Sequence, residues 1–345
     1  MCKGIYEQTN ILAKDIKDII KEGGSCPEIN KKICERIRTD KVFLKKEYVD
    51  KFNDKNAATL DPSQCNLYNN DGLSEILYAN SFGPFYPEEY FNKEFRILWI
   101  LKEDYIKKDS WKNLKNPDRG GHDKADEYKD YNESSTISTY KTIIYTVKKI
   151  LEKRFCKGID ETIDETEVMK HLCIIELNHF PGLNFKKSYS NDKHLVNWAE
   201  INHKLNSVLI NFYRPNLVVL NSGIMGSFIE INKNGNEIYE HEIFNWLRIK
   251  DNSIKKYQEK YHNDCTFTIA GRELIKIDEN HTGTFAESYK NNKGIASAVY
   301  DIDSCVWVGL NFHPIRGRCE KQNIHDKKWK NFAEVVVTFL KKLDV

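Results

Sequence analysis

No apolar run in this sequence approaches the roughly 18 residues that a bilayer-spanning helix needs, so no membrane span is expected. No CxxC pair occurs among the nine cysteines, which stand at 2, 26, 34, 65, 156, 173, 265, 305 and 319. Zinc and iron–sulfur sites need clustered thiolates, so neither a metal nor any other cofactor is expected. An odd cysteine count fits reduced thiols. The opening MCKGIYEQTNILAKDIKD lacks the basic-then-apolar layout of a secretion signal, so the expected compartment is the cytoplasm. Several catalytic signatures are also missing: GxSxG, HExxH, the phosphate-cradling GxxxxGK[ST], and GxGxxG. Bulk charge is nearly balanced, with Lys+Arg 53 against Asp+Glu 51 and a net charge of +2, so any nucleic-acid surface must be local.

What remains is a globular composition. The chain has 345 residues, 40% hydrophobic and 30% charged, enough for one large or two ordinary domains. Residues 1–92 read as a helical extension, with a stripe of Ile11, Ile16, Ile19 and Ile20 ended by Gly23-Gly24. From residue 93 onward the character changes. Ile97–Leu101, Leu172–Ile175, Leu217–Leu220 and Cys305–Leu310 are short and continuously apolar, the pattern of strands buried on both faces of a parallel sheet. Cys173 and Cys305 lie inside these runs and are expected to fill the core. Helical patterns separate the runs. Ile137–Leu151 is one. In Leu195–Phe212, residues Leu195, Trp198, Ile201, Leu205, Val208, Leu209 and Phe212 share a face. Trp329, Phe332, Ala333, Val336, Phe339 and Leu340 do the same in the last helix. The expected fold class is therefore α/β, a three-layer α/β/α sandwich around a mostly parallel four-stranded sheet. Residues 225–304 interrupt the rhythm and read as an insertion, with hairpin strands expected near Thr266–Ile269 and Leu274–Ile277.

Ligands of open α/β sheets bind outside the carboxyl ends of the strands. The first run is followed by Lys102-Glu103-Asp104-Tyr105, and the second by Glu176-Leu177-Asn178-His179. Asn221-Ser222-Gly223 follows the third, and Asn311-Phe312-His313-Pro314-Ile315-Arg316-Gly317-Arg318 the fourth. Between the first run and the next helix lies Asn116-Pro-Asp-Arg119-Gly-Gly-His122, whose glycines permit close approach to a backbone.

This ordered set resembles the uracil-DNA glycosylase superfamily over roughly residues 95–225 and 304–343. The resemblance implies that Glu103 stands for the catalytic acid of the GQDPYH or GEAPG motif, with Asp104 beside it as the alternative carboxylate. It implies that Tyr105 crowds the base, with Lys102 beside the base pocket, and that Asn178 reads the base as in LLLN. His313 of His313-Pro314-Ile315-Arg316 corresponds to the histidine that faces the departing base. Leu101 and Asp104 replace the Gly and Pro of the first motif, and Ile315 replaces the Ser of His-Pro-Ser. The implied activity is that of a monofunctional DNA glycosylase, leaving an abasic site in base excision. The base is expected to be a modified one, because some relatives remove hypermodified phage bases in antiviral defence. The implied partner is DNA, single- or double-stranded, with the target base flipped out. Arg316, Arg318, Ser222, Arg119 and His122 are the expected DNA contacts, and no protein partner is implied.

These are residue types that the chemistry needs. A carboxylate near C1′ stabilises an oxocarbenium-like sugar and handles water. A neutral His donates to the leaving base, and an Asn amide, with both donors and an acceptor, reads a Watson–Crick edge. Two other readings fit the same residues: a non-catalytic reader of modified DNA, and an unrelated α/β nucleotide hydrolase.

Overall fold

Each of the four apolar runs forms a strand in the computed structural model, which describes residues 3–39, 41–45, 73–77, 83–107, 139–156, 162–184, 192–221, 228–233, 236–238, 265–273, 295–301, 303–310 and 322–342. In chain order the strands are β1 (Lys41–Lys45), β2 (Leu73–Leu77), β3 (Gly83–Pro84), β4 (Ile97–Lys107), β5 (Leu172–Asn184), β6 (Leu217–Asn221), β7 (Ile229–Lys233), β8 (Asn236–Ile238), β9 (Cys265–Ile269), β10 (Arg272–Glu273), β11 (Ile295–Tyr300) and β12 (Val306–Leu310). The helices are α1 (Lys3–Glu22), α2 (Cys26–Thr39), α3 (Pro87–Tyr90), α4 (Thr139–Phe155), α5 (Glu165–Lys170), α6 (Asp192–Tyr213) and α7 (Gln322–Lys342).

The protein is α/β, and its largest sheet has the order β11-β12-β6-β4-β5-β3. Strands β12 and β6 pair in parallel, as do β6 and β4, in the register Ile97↔Leu217 and Val306↔Leu217. Their residues are Ile, Leu, Val and Trp with both faces covered; Ile97, Leu98, Val218, Val219, Val306 and Val308 are all fully buried. This accounts for continuous rather than alternating apolarity. Two strands extend the expected set of four. The short β3 flanks β5, and β11 joins β12 antiparallel with an irregularity between Ile295 and Ser297.

By contact density the chain divides into two compact units. One comprises Met1–Gly83, Ile100–Lys124 and Ile174–Phe212; the other comprises Pro84–Trp99, Ala125–Cys173 and Tyr213–Val345. In the first, α1 and α2 pack as a pair joined at Gly23-Gly24, both with positive φ. Ser25 caps α2 reciprocally: Glu28 N donates to its Oγ, and its own N and Oγ donate to Glu28 Oε2 at 3.0 and 2.8 Å. The buried face of α1 is Ile5, Thr9, Leu12, Ala13 and Ile16. The stripe expected through Ile11 is thus rotated: Ile11 is 53% exposed. At about 100° per residue, five positions place Ile11 about 140° from Ile16, so the two cannot share a face. The extension also holds β1 and β2, which pair antiparallel.

In the second unit α7 packs on α4. Trp329 of α7 meets Trp99 of β4 at 6.2 Å between ring centroids and Phe332 edge-on at 5.8 Å. The 225–304 region forms a separate antiparallel sheet, β10-β9-β7-β8, besides contributing β11. Its β9–β10 hairpin turns at Ala270 (φ 51°) and Gly271 (φ 77°), the positive-φ pair of a primed turn. The return strand is therefore Arg272–Glu273; the Leu274–Ile277 strand expected from sequence lies outside the described residues. Phe228 packs on Trp307 of β12, with ring centroids 5.7 Å apart, and its carbonyl accepts from Ala270 N.

A fully buried carboxylate, Asp301, closes the same region. Its Oδ1 accepts from Asp303 N (3.0 Å) and Cys305 N (3.2 Å), and its Oδ2 accepts from the Trp307 indole (3.0 Å). Arg272 Nε lies 3.2 Å from Oδ2. Burial holds the Asp301 carboxyl above the ordinary value, against the opposing pull of Arg272, the indole and the two amides. The folded protein thus keeps this proton to a higher pH than the unfolded chain does. The group's contribution to stability is full below the ordinary carboxylate pKa and is lost as pH rises through the raised one. The stability difference between wild type and Asp301→Asn should be largest in acid and shrink with rising pH. Urea unfolding of both proteins across the acid range checks this; a difference that grows with pH contradicts it.

Candidate functional site

The chemistry-bearing segments on β4 and β5 are sheet neighbours. Lys102, Glu103, Asp104 and Tyr105, expected beyond the carboxyl end of the first strand, lie within β4, which continues to Lys107. Tyr105 and Ile106 suit a strand, and β4 sits between β6 and β5, where continued pairing satisfies the backbone. Asn178 was likewise expected at a strand end and lies in the middle of β5, which runs to Asn184.

Asn178 is fully buried, and Glu176, two residues before it, is 2% exposed. Alternation along a strand puts both on one face of β5. A carboxylate and an amide thus lie together in a strand whose apolar residues Ile174, Ile175 and Leu177 are all buried. Buried polar groups persist where they are hydrogen-bonded or functional.

Helix α6 completes the arrangement. Its apolar stripe is as expected from sequence, with Leu195, Trp198, Ile201, Leu205 and Leu209 all buried. Trp198 is wholly enclosed. On the same helix Asn202, His203 and Asn206 are also buried. Asn202 Nδ2 and Asn206 Nδ2 both donate to the carbonyl of Leu177, at 3.3 and 3.2 Å. That carbonyl belongs to the peptide joining Leu177 to Asn178.

The sequence reading missed Asn202 and Asn206. The available signal was their spacing: Trp198, Asn202, Asn206 and Leu209 follow i, i+4, i+8 and i+11, so the two amides share a line with core residues.

His313, Arg316, Arg318, Ser222, Arg119 and His122 lie outside the described residues. Among the described residues no group of three or more His, Cys, Asp or Glu side chains could hold a metal ion, and no helix is long and apolar enough to cross a membrane. Cys173 and Cys305 are thiols buried in the core rather than joined in a disulfide, and burial pushes the Cys305 thiol up. Comparison with protein-family models, curated proteins and solved structures gave no match.

Proposed function

We propose that the protein is a monofunctional DNA glycosylase with a uracil-DNA glycosylase-like α/β/α sandwich, built from residues 93–345 with an insertion at 225–304 and a helical extension at 1–92. Its substrate is a modified base flipped out of DNA, and its role is antiviral defence against hypermodified DNA. The observation that carries this reading is the burial of Asn178 with Glu176 on β5, beside the strand that bears Glu103. The parallel course of β4, β6 and β12 supports it, because ligand chemistry in such sheets gathers at the carboxyl ends of the strands.

In this mechanism the carboxylate of Glu103 (or of Asp104) accepts a proton from water as the water oxygen bonds to C1′. The bond from C1′ to the base nitrogen breaks, and its electron pair leaves with the base. His313 donates to the base oxygen and stabilises that anion. Asn178 reads the base edge, with Tyr105 and Lys102 shaping the pocket. Arg316 fills or clamps the vacated stack, while Arg318, Ser222, Arg119 and His122 hold phosphates.

The test is abasic-site formation on single- and double-stranded oligonucleotides carrying uracil, hydroxymethyluracil, hydroxymethylcytosine or glucosylated hydroxymethylcytosine. Release of at least one base, with an alkali-labile strand, is expected. Tight binding to one of these DNAs with no release would instead favour a reader of modified DNA.

A further inference from the structure

We infer that Asn202 and Asn206 are positioning residues for Asn178, and that together they set which base edge the pocket accepts. This rests on the glycosylase reading. A carbonyl oxygen has two lone pairs, and the two amides occupy both on Leu177. Those two donors tie that peptide to α6. Two donors one helical turn apart hold the chain at the bond immediately before Asn178.

The arrangement has a cost. If Asn202 Nδ2 faces the Leu177 carbonyl, Oδ1 must point elsewhere, and Oδ1 is buried with no hydrogen-bond partner. The opposite amide orientation would set two oxygens against each other. An orphaned buried acceptor is destabilising, and a leucine at 202 would suit a position aligned with Trp198 far better. The retained donor acts on one backbone atom, and that atom orients the base reader. A reader displaced by a fraction of an ångström loses both rate and selectivity.

The experiment uses Asn202→Asp and Asn206→Asp, singly and together, because aspartate keeps the shape and replaces the donor with an acceptor. Single-turnover excision is measured on two bases that the wild type removes at different rates, alongside binding to abasic-site DNA. The double variant should excise about a hundredfold more slowly. It should also discriminate less between the two bases while binding abasic-site DNA as the wild type does. A merely architectural role would lower the unfolding midpoint and leave base discrimination in the folded protein unchanged; that result overturns the inference. Should the double variant not fold, Asn202→Ala retains the Asn206 donor and should still narrow the discrimination. A folded Asn202→Ala with wild-type discrimination overturns the inference, as does one that cannot fold, since the bond is then purely structural. A wild type that excises no base ends the glycosylase reading itself, and the positioning role with it. An active wild type with indifferent variants removes the positioning role alone.

Discussion

His313→Ala should slow single-turnover base excision by roughly 10²–10³ while DNA affinity hardly changes, because one donor to a developing anion in a dry site is worth that much. The affinity of a glycosylase comes mainly from phosphate contacts, and those persist. Arg316, three residues on, should behave in the opposite way. Arg316→Ala should weaken binding, lower the salt slope, and be partly rescued on mismatched or single-stranded DNA, where extruding a base is cheap. Single-turnover kinetics and salt-dependent binding on the two variants separate the roles. If both variants weaken binding alike and neither slows excision, these residues contact phosphate only, and the chemical role of His313 is lost.

Arg272→Met should cost about 3–5 kcal/mol of stability near neutral pH, the usual result of stripping a buried charge of its partner. Arg272 is 10% exposed and Asp301 fully buried, and the guanidinium lies over the Trp307 ring at 5.9 Å. Methionine keeps much of the packing on that ring, so the loss isolates charge from volume. Asp303, at 3.6 Å from Nη1, is 64% exposed and so contributes little. The loss should shrink in acid, where Asp301 takes up a proton, and Arg272→Met/Asp301→Asn should recover part of it. Urea unfolding of the three variants provides the test. A loss below about 1 kcal/mol would place this pair with ordinary surface bridges.

The four strands and three long helices were legible in the sequence because burial on both faces and a 3.6-residue period leave strong marks. Val218 and Val219 of β6 have nowhere polar to point, and Trp329, Phe332 and Val336 line one face of α7. Local marks failed elsewhere. The β9–β10 turn uses Ala270 with positive φ, a residue that gives no turn signal; it is buried and held by Phe228 O, so tertiary packing overrides local preference. The α1 stripe was misplaced because isoleucine is apolar whichever way it faces, and Ile11 simply lies on the exposed side. At the candidate site, the run Leu172–Ile175 marked β5, but not that the strand continues through Asn178 to Asn184. The clamp behind Asn178 was not legible, because the contact joins residues 25 and 29 positions apart in sequence. The ends of β4 and β5 were set too early for a related reason: polar residues such as Glu103 and Glu176 mark a strand end only where the sheet itself stops.

The most direct measurement is single-turnover release of free base by wild type and by Glu103→Gln, with Asp104→Asn alongside, on whichever modified DNA the wild type cleaves. Glutamine removes the charge and preserves the shape, so Glu103→Gln should bind that DNA normally and release almost no base. Full activity in Glu103→Gln with a dead Asp104→Asn would move the carboxylate by one residue. A wild type that releases no base from any of these DNAs would contradict the account.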